Sequence, residues 1–105
     1  MSYPVGNTGV SYAQKTITTT PVVKTTTGII YTLAAGEILI LQNQATTPLY
    51  VRYGDAGASA SLYHYVLPAC VVAADGTSPA LVIDSWIGIV SVYAAAPSYV
   101  ANVIS

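Results

Sequence analysis

The residues able to do chemistry are few: one histidine, His64, one cysteine, Cys70, and four carboxylates, Glu37, Asp55, Asp75 and Asp84, in a chain of 105 residues. Acyl transfer through His64 would need a nucleophile and an orienting carboxylate beside it, and no G-x-S-x-G elbow accompanies it. A zinc site would need three or four Cys, His or carboxylate ligands, and the chain has one histidine and one cysteine to offer. Calcium would need a local cluster of oxygens such as the D-x-[DN]-x-[DN]-G loop, which the sequence lacks. Gly6-Asn7-Thr8-Gly9 and Gly54-Asp55-Ala56-Gly57 lack the Lys-Ser or Lys-Thr of a phosphate loop and read as turns. Cys70 lies in the apolar run Val66–Val72, where a thiol behaves as a small buried hydrophobe. The sequence therefore predicts no enzyme, no cofactor and no metal.

The aromatic residues carry more information. There are nine tyrosines, one tryptophan and no phenylalanine, so nearly every ring keeps a polar tip that needs a partner or water. Such rings suit boundaries, and Tyr, Trp and Arg are the common anchors of protein interfaces. Tyr50 with Arg52, and Tyr63 with Tyr65, would each line one face of a strand at two-residue spacing. With Tyr3 and Tyr12 near the N-terminus, these six are the candidate partner-contact residues. A plain amphipathic sheet face and a sugar-stacking platform are the competing readings of the same rings.

Charge points the same way. Only 7% of residues are charged while 53% are hydrophobic, against roughly 25% charged in an ordinary soluble domain. The surface must then be made largely of Thr, Ser, Asn, Gln, Tyr and apolar side chains, which suits a packed array better than free solution. Lys15, Lys24 and Arg52 are dispersed and the net charge is −1, so no basic cluster exists to release counterions from nucleic acid. No apolar run reaches the roughly 18 residues of a membrane-spanning helix. Residues 1–6 lack the basic and apolar regions of a signal peptide, so synthesis in a cytoplasm is expected.

The elements that must position these residues read as strands. From Ile29 onward, short apolar or alternating runs are separated by turn residues, the spacing of a β-sandwich or barrel. The expected strands are Ile29–Leu33, Glu37–Gln42, Leu49–Tyr53, Leu62–Leu67, Cys70–Ala73, Leu81–Ile83, Trp86–Tyr93 and Tyr99–Ile104, with an edge strand around Lys15–Thr20. Pro68 argues against one helix over 62–74. In Leu49–Tyr53, Leu49, Val51 and Tyr53 share one face while Tyr50 and Arg52 share the other. His64 would share a face with Leu62 and Val66. The run Ile38-Leu39-Ile40-Leu41 is apolar on both faces, so it is either a strand covered twice within the domain or one whose second face meets another subunit. Residues 1–14, with Tyr3, Val5, Val10 and Tyr12 spaced apart, bury too little by themselves to offset backbone ordering. They read as an extended arm that serves assembly, ahead of a domain over 15–105.

The stretch from Ile38 to Tyr93 resembles small β-sandwich, jelly-roll-like virion proteins of tailed bacteriophages, of the capsid decoration or cement type. The patches that carry the likeness are Gln42-Asn43-Gln44, Thr47–Gly54, Ser59-Ala60-Ser61, Val66-Leu67-Pro68-Ala69, Asp75-Gly76-Thr77 and Trp86–Tyr93. Where glycine often follows the Leu-x-Ala corner in those proteins, this chain has Cys70. The resemblance implies an all-β, single antiparallel sandwich of jelly-roll type on the capsid surface of a virion. It further implies the major capsid protein or other virion proteins as partners, and self-association as a trimer. A tail, neck or fibre component, and a carbohydrate- or receptor-binding module, are the alternatives.

Overall fold

β-Branched and aromatic residues in runs of five or six, broken by Gly, Pro and Ser, give strands here as the sequence predicts. The computed structural model describes residues 16–17, 22–70 and 78–105. Its strands are β1 (Val23–Lys24), β2 (Gly28–Leu33), β3 (Ile38–Asn43), β4 (Leu49–Tyr53), β5 (Tyr65–Leu67), β6 (Ala80–Ile83), β7 (Gly88–Tyr93) and β8 (Tyr99–Ile104). No helix occurs among the described residues. The strands form two four-stranded sheets, ordered β1-β8-β3-β6 and β2-β7-β4-β5, and every pairing is antiparallel.

The two sheets share one core, which makes the domain a β-sandwich. Leu39, Leu41, Tyr99 and Val103 from the first sheet meet Leu33, Leu49, Val51, Val90 and Val92 from the second, all essentially inaccessible to water. Burial of each such side chain stabilises the fold by roughly 1.5 to 3 kcal/mol. A bulge between Ile29 and Tyr31 lets both Ile30 and Tyr31 pack on the core, since an extra residue turns two neighbours toward one face.

Several loops deviate from the expected strands for local reasons. Only Tyr65–Leu67 of the expected Leu62–Leu67 strand is extended. Ahead of it, the Ser59 and Leu62 backbones exchange hydrogen bonds and the Ser59 hydroxyl accepts from the Leu62 amide at 3.0 Å, the kind of local serine contact that competes with a ladder. Cys70 is not in a strand: its amide donates to Ala45 O at 2.7 Å and its side chain is buried. Residues 71–73 of that expected strand lie outside the described residues. The strand expected from Trp86 starts at Gly88, because the Trp86 indole folds back and its Nε1 donates to Ile89 O at 3.0 Å. Glu37 belongs to the β2–β3 turn and not to β3. Gly36 there has φ +82°, a conformation that glycine enters without steric penalty.

At the N-terminal side, Thr16 and Ser105 exchange backbone hydrogen bonds and Ile17 forms a bridge to Ile104. Farther along the same edge of β8, Val23 of β1 faces Val100 and Lys24 faces Tyr99. Of the expected edge strand 15–20, Thr16 and Ile17 are thus seen along β8, and Lys15 and residues 18–20 lie outside the described residues. So do the arm over 1–14, the division of the chain near residue 14, and Asp75.

Candidate interaction surfaces

Asn43, at the end of β3, holds the loops that frame the sandwich's edge. It is wholly buried, its Nδ2 donates to Thr47 O at 3.0 Å and Pro68 O at 2.9 Å, and its Oδ1 accepts from the Ala45 amide at 3.0 Å. One side chain thereby satisfies three backbone groups of two loops. A polar residue closing an apolar strand was the only sequence signal for it.

The tyrosines predicted at a boundary fall into two groups. On the outward face of the second sheet, Tyr50 lies opposite Tyr93 of β7, with ring centroids 6.3 Å apart, and Tyr63 packs on the other side of Tyr50 at 5.1 Å. Tyr63 therefore joins Tyr50 across the sheet and does not line a strand with Tyr65, because it precedes β5. Tyr65 instead pairs with Val51, which puts it on the core-facing side at the rim, and both it and Tyr63 are exposed. Arg52 does share a face with Tyr50. Its guanidinium is held by the loop that follows, with Nη1 donating to Gly57 O at 3.1 Å and 3.5 Å from Asp55 Oδ1. The same loop covers Ser91, a buried hydroxyl that donates to Asp55 O at 2.6 Å. Tyr3 and Tyr12 lie outside the described residues.

The second group is a stack at the rim. The His64 ring lies on Tyr53 at 5.6 Å and 7°, and Tyr53 stacks on Trp86 at 5.8 Å and 25°. His64 is not within a strand and does not share a face with Val66. Its amide donates to Val51 O at 2.8 Å and its Nδ1 accepts from the Tyr53 amide at 3.0 Å, so the imidazole replaces a backbone carbonyl in the ladder beside β4. Accepting at Nδ1 places the proton of the neutral ring on Nε2. Trp86 rests against two glycines, Gly54 (φ +86°) and Gly88 (φ +133°), whose missing Cβ atoms would sit 3.4 and 3.2 Å from its ring.

Titration of the remaining groups follows their partners. The Ala34 amide and then the Tyr31 hydroxyl, donating at 2.7 and 2.8 Å, hold the Glu37 carboxyl below its usual range. The same bond to Glu37, more than burial, raises Tyr31. Burial raises Tyr53 and Tyr99, the latter donating its hydroxyl to Thr26 O at 2.8 Å. Among the described residues no three His, Cys, Asp or Glu side chains gather as metal ligands would.

The outward face of the first sheet differs in kind. Leu39 and Leu41 point to the core, so Ile38, Ile40 and Gln42 of β3 point away from it. Beside them stand Asn102 and Ile104 of β8, by the pairing Ile40 with Asn102 and Ile38 with Ile104, and Val82 of β6, by the pairing with Ile40. Val82 is 56% exposed, and Val23 and Ile17 along the β1 edge are 52% and 66% exposed. None of these positions is charged. The Oδ1 of Asn102 is shielded from water without a hydrogen-bond partner. Ile38, Ile40 and Ile104 are half-buried and Val100, which shares this face by its pairing with Gln42, is buried, so the double apolarity of Ile38–Leu41 resolves as one face in the core and one turned away from it.

Comparisons with protein-family models, with curated proteins and with solved structures found no match to this chain.

Proposed function

We propose that this chain is a non-catalytic structural protein of a virion, of the bacteriophage capsid decoration or cement type, which bridges capsid subunits and associates with itself. The observation that carries the reading is the outward face of the first sheet: exposed Val82 and half-buried Ile38, Ile40 and Ile104 lie together without a charge, on a chain with three cations and four carboxylates in all. Contiguous apolar surface of this kind marks a site of association. The strand order supports a jelly roll, since β1-β8-β3-β6 facing β2-β7-β4-β5 is the order that two Greek keys generate, an architecture used by viral capsid and lectin domains. The dispersed cations argue against a nucleic-acid partner.

Copies per purified particle, counted by quantitative mass spectrometry, test this. Hundreds of copies support lattice decoration, and about a dozen would place the protein in a tail, neck or fibre. Absence from particles refutes the virion role.

The second reading, a carbohydrate- or receptor-binding module, is favoured by the Tyr50–Tyr63–Tyr93 cluster, where an exposed ring stands over a sheet face. Aromatic rings of that type stack on sugars. A glycan-binding screen that loses its signal in Tyr63→Ala would favour it.

A further inference from the structure

We infer that the free edge of β6 pairs with β6 of a second copy of this chain, antiparallel across a two-fold axis. The inference deepens the self-association in the reading above and does not need the virion. A sheet edge carries N–H and C=O groups that another chain can take up as a further strand. Which groups β6 leaves open follows from its pairing with β3. The Asn43 amide donates to Pro79 O at 2.9 Å, and the register continues with Leu41 opposite Leu81 and Leu39 opposite Ile83. Hydrogen-bonded pairs alternate with unbonded ones along an antiparallel ladder, so Leu81 and Ile83 bond to β3 while the N–H and C=O groups of Ala80 and Val82 point away from it. Among the described residues those groups have no hydrogen-bond partner. Ala80 is exposed and Val82 is 56% exposed.

The other three edges are blunted in ways that natural sheets use. β1 has two residues and carries Lys24, β2 has the bulge between Ile29 and Tyr31, and β5 has three residues. β6 instead runs in unbroken register through Ala80–Ile83 with neither charge, proline nor bulge. Its residues also suit pairing with themselves. A two-fold centred on Val82 sets Val82 opposite the second copy's Val82, Leu81 opposite Ile83, and Ala80 opposite Asp84. No like charges then face each other, and the two Asp84 carboxylates stand at opposite ends of the seam. The Val82 pair and the Ala80–Asp84 pairs take up the open N–H and C=O groups. Half-buried Leu81, already packed on the core, gains Ile83 as an apolar neighbour. The two first sheets become one, and their outward faces become continuous across the paired valines. Such a contact uses one patch twice and closes at a dimer.

Sedimentation equilibrium of the full chain should therefore give a dimer. Val82→Pro removes an N–H that faces the free edge and no bond to β3, a position where sheets accept proline, so it should give a folded monomer. A parent chain that stays monomeric at every concentration, or that assembles as a trimer, overturns the inference, and so does a dimer retained by folded Val82→Pro. A thiol pair decides the matter independently of whether the proline variant folds. With Cys70→Ala, Val82→Cys should oxidise to a linked dimer, because residues opposed in a hydrogen-bonded pair stand about 5.5 Å apart at Cα, within the span of a disulfide. Ile87→Cys in the same background is the control, since Ile87 is 64% exposed but lies in the β6–β7 loop, and it should stay unlinked. Equal linking of the two variants, or none in Val82→Cys, overturns the inference. Failure of the virion reading is separately visible: dimers of a chain missing from particles refute the virion role alone, and monomers of a chain abundant in particles refute the edge pairing alone.

Discussion

The Tyr53 amide donates to His64 Nδ1 at 3.0 Å while the two rings stack at 7°, so the chain's one histidine completes the edge of a sheet. In this position the side chain serves as a hydrogen-bond acceptor and as a flat surface for Tyr53. His64→Ala should lower stability by roughly 1 to 2 kcal/mol, from one hydrogen bond and one stacked pair. His64→Gln should leave binding to particles within a few-fold of the parent. Thermal unfolding and a particle-binding assay check the two parts. Loss of all binding in a folded His64→Gln protein would show a site at the histidine.

Asn43 should matter more than any surface residue to stability. Asn43→Ala strands the Ala45 amide and the carbonyls of Thr47 and Pro68, each costly to leave unpaired in a protected place. The expected loss is at least roughly 2 kcal/mol, read by urea denaturation. Asn43→Asp, which keeps the acceptor and loses both donors, should also fall below the parent.

Glycines 36 and 88 separate backbone conformation from space. Both have positive φ, but a Cβ at Gly36 meets nothing within 4 Å whereas one at Gly88 lies 3.2 Å from the Trp86 ring. Gly36→Ala should cost about 1 kcal/mol from conformation alone. Gly88→Ala should cost more and should shift the tryptophan fluorescence, which Gly36→Ala leaves in place.

Stability should fall at both ends of the pH scale. Glu37 is held below its usual value by the Ala34 amide and the Tyr31 hydroxyl, so its contribution is present above the unfolded carboxylate value, about 4.3, and is lost as pH falls through the lower folded value. Tyr31, Tyr53 and Tyr99 are raised. Their contribution is complete below the ordinary tyrosine value of about 10 and is lost as pH rises through the raised folded values. Chemical denaturation across pH reads both limbs. Glu37→Gln should flatten the acid limb and diminish the Tyr31 part of the alkaline one, because Glu37 is the main cause of the Tyr31 shift, while the parts from Tyr53 and Tyr99 stay.

Much of the sandwich was legible because its signals are local. Leu49–Tyr53 and Tyr99–Ile104 have the predicted bounds, since alternation or an apolar run between turn residues fixes a strand wherever its partner lies. The errors came where side chains redirect the backbone. Ser59 closes a turn ahead of β5, Trp86 folds back over Gly88, and neither event leaves a periodic trace. Val23–Lys24 was hidden among threonines because its pairing partner, β8, is the last strand of the chain. The tyrosine surface was legible as composition but not as grouping. That Tyr50 meets Tyr63 and Tyr93, and that Tyr65 sits on the other side, depends on strand registers that no short stretch of sequence encodes. The task of Asn43 was hidden for the same reason, beyond its being a polar residue that closes an apolar strand: its partners at Pro68 and Thr47 converge only in the fold.

A reconstruction of a phage particle to which this protein binds, as the proposal requires, tests the central claim most directly. The proposal predicts that the outward face of the first sheet, with Ile40 on an inner strand and Val82 on the edge strand β6, lies against another polypeptide, whether a sister copy or a capsid subunit. A first sheet facing open solvent, with contacts made elsewhere on the sandwich, would contradict it.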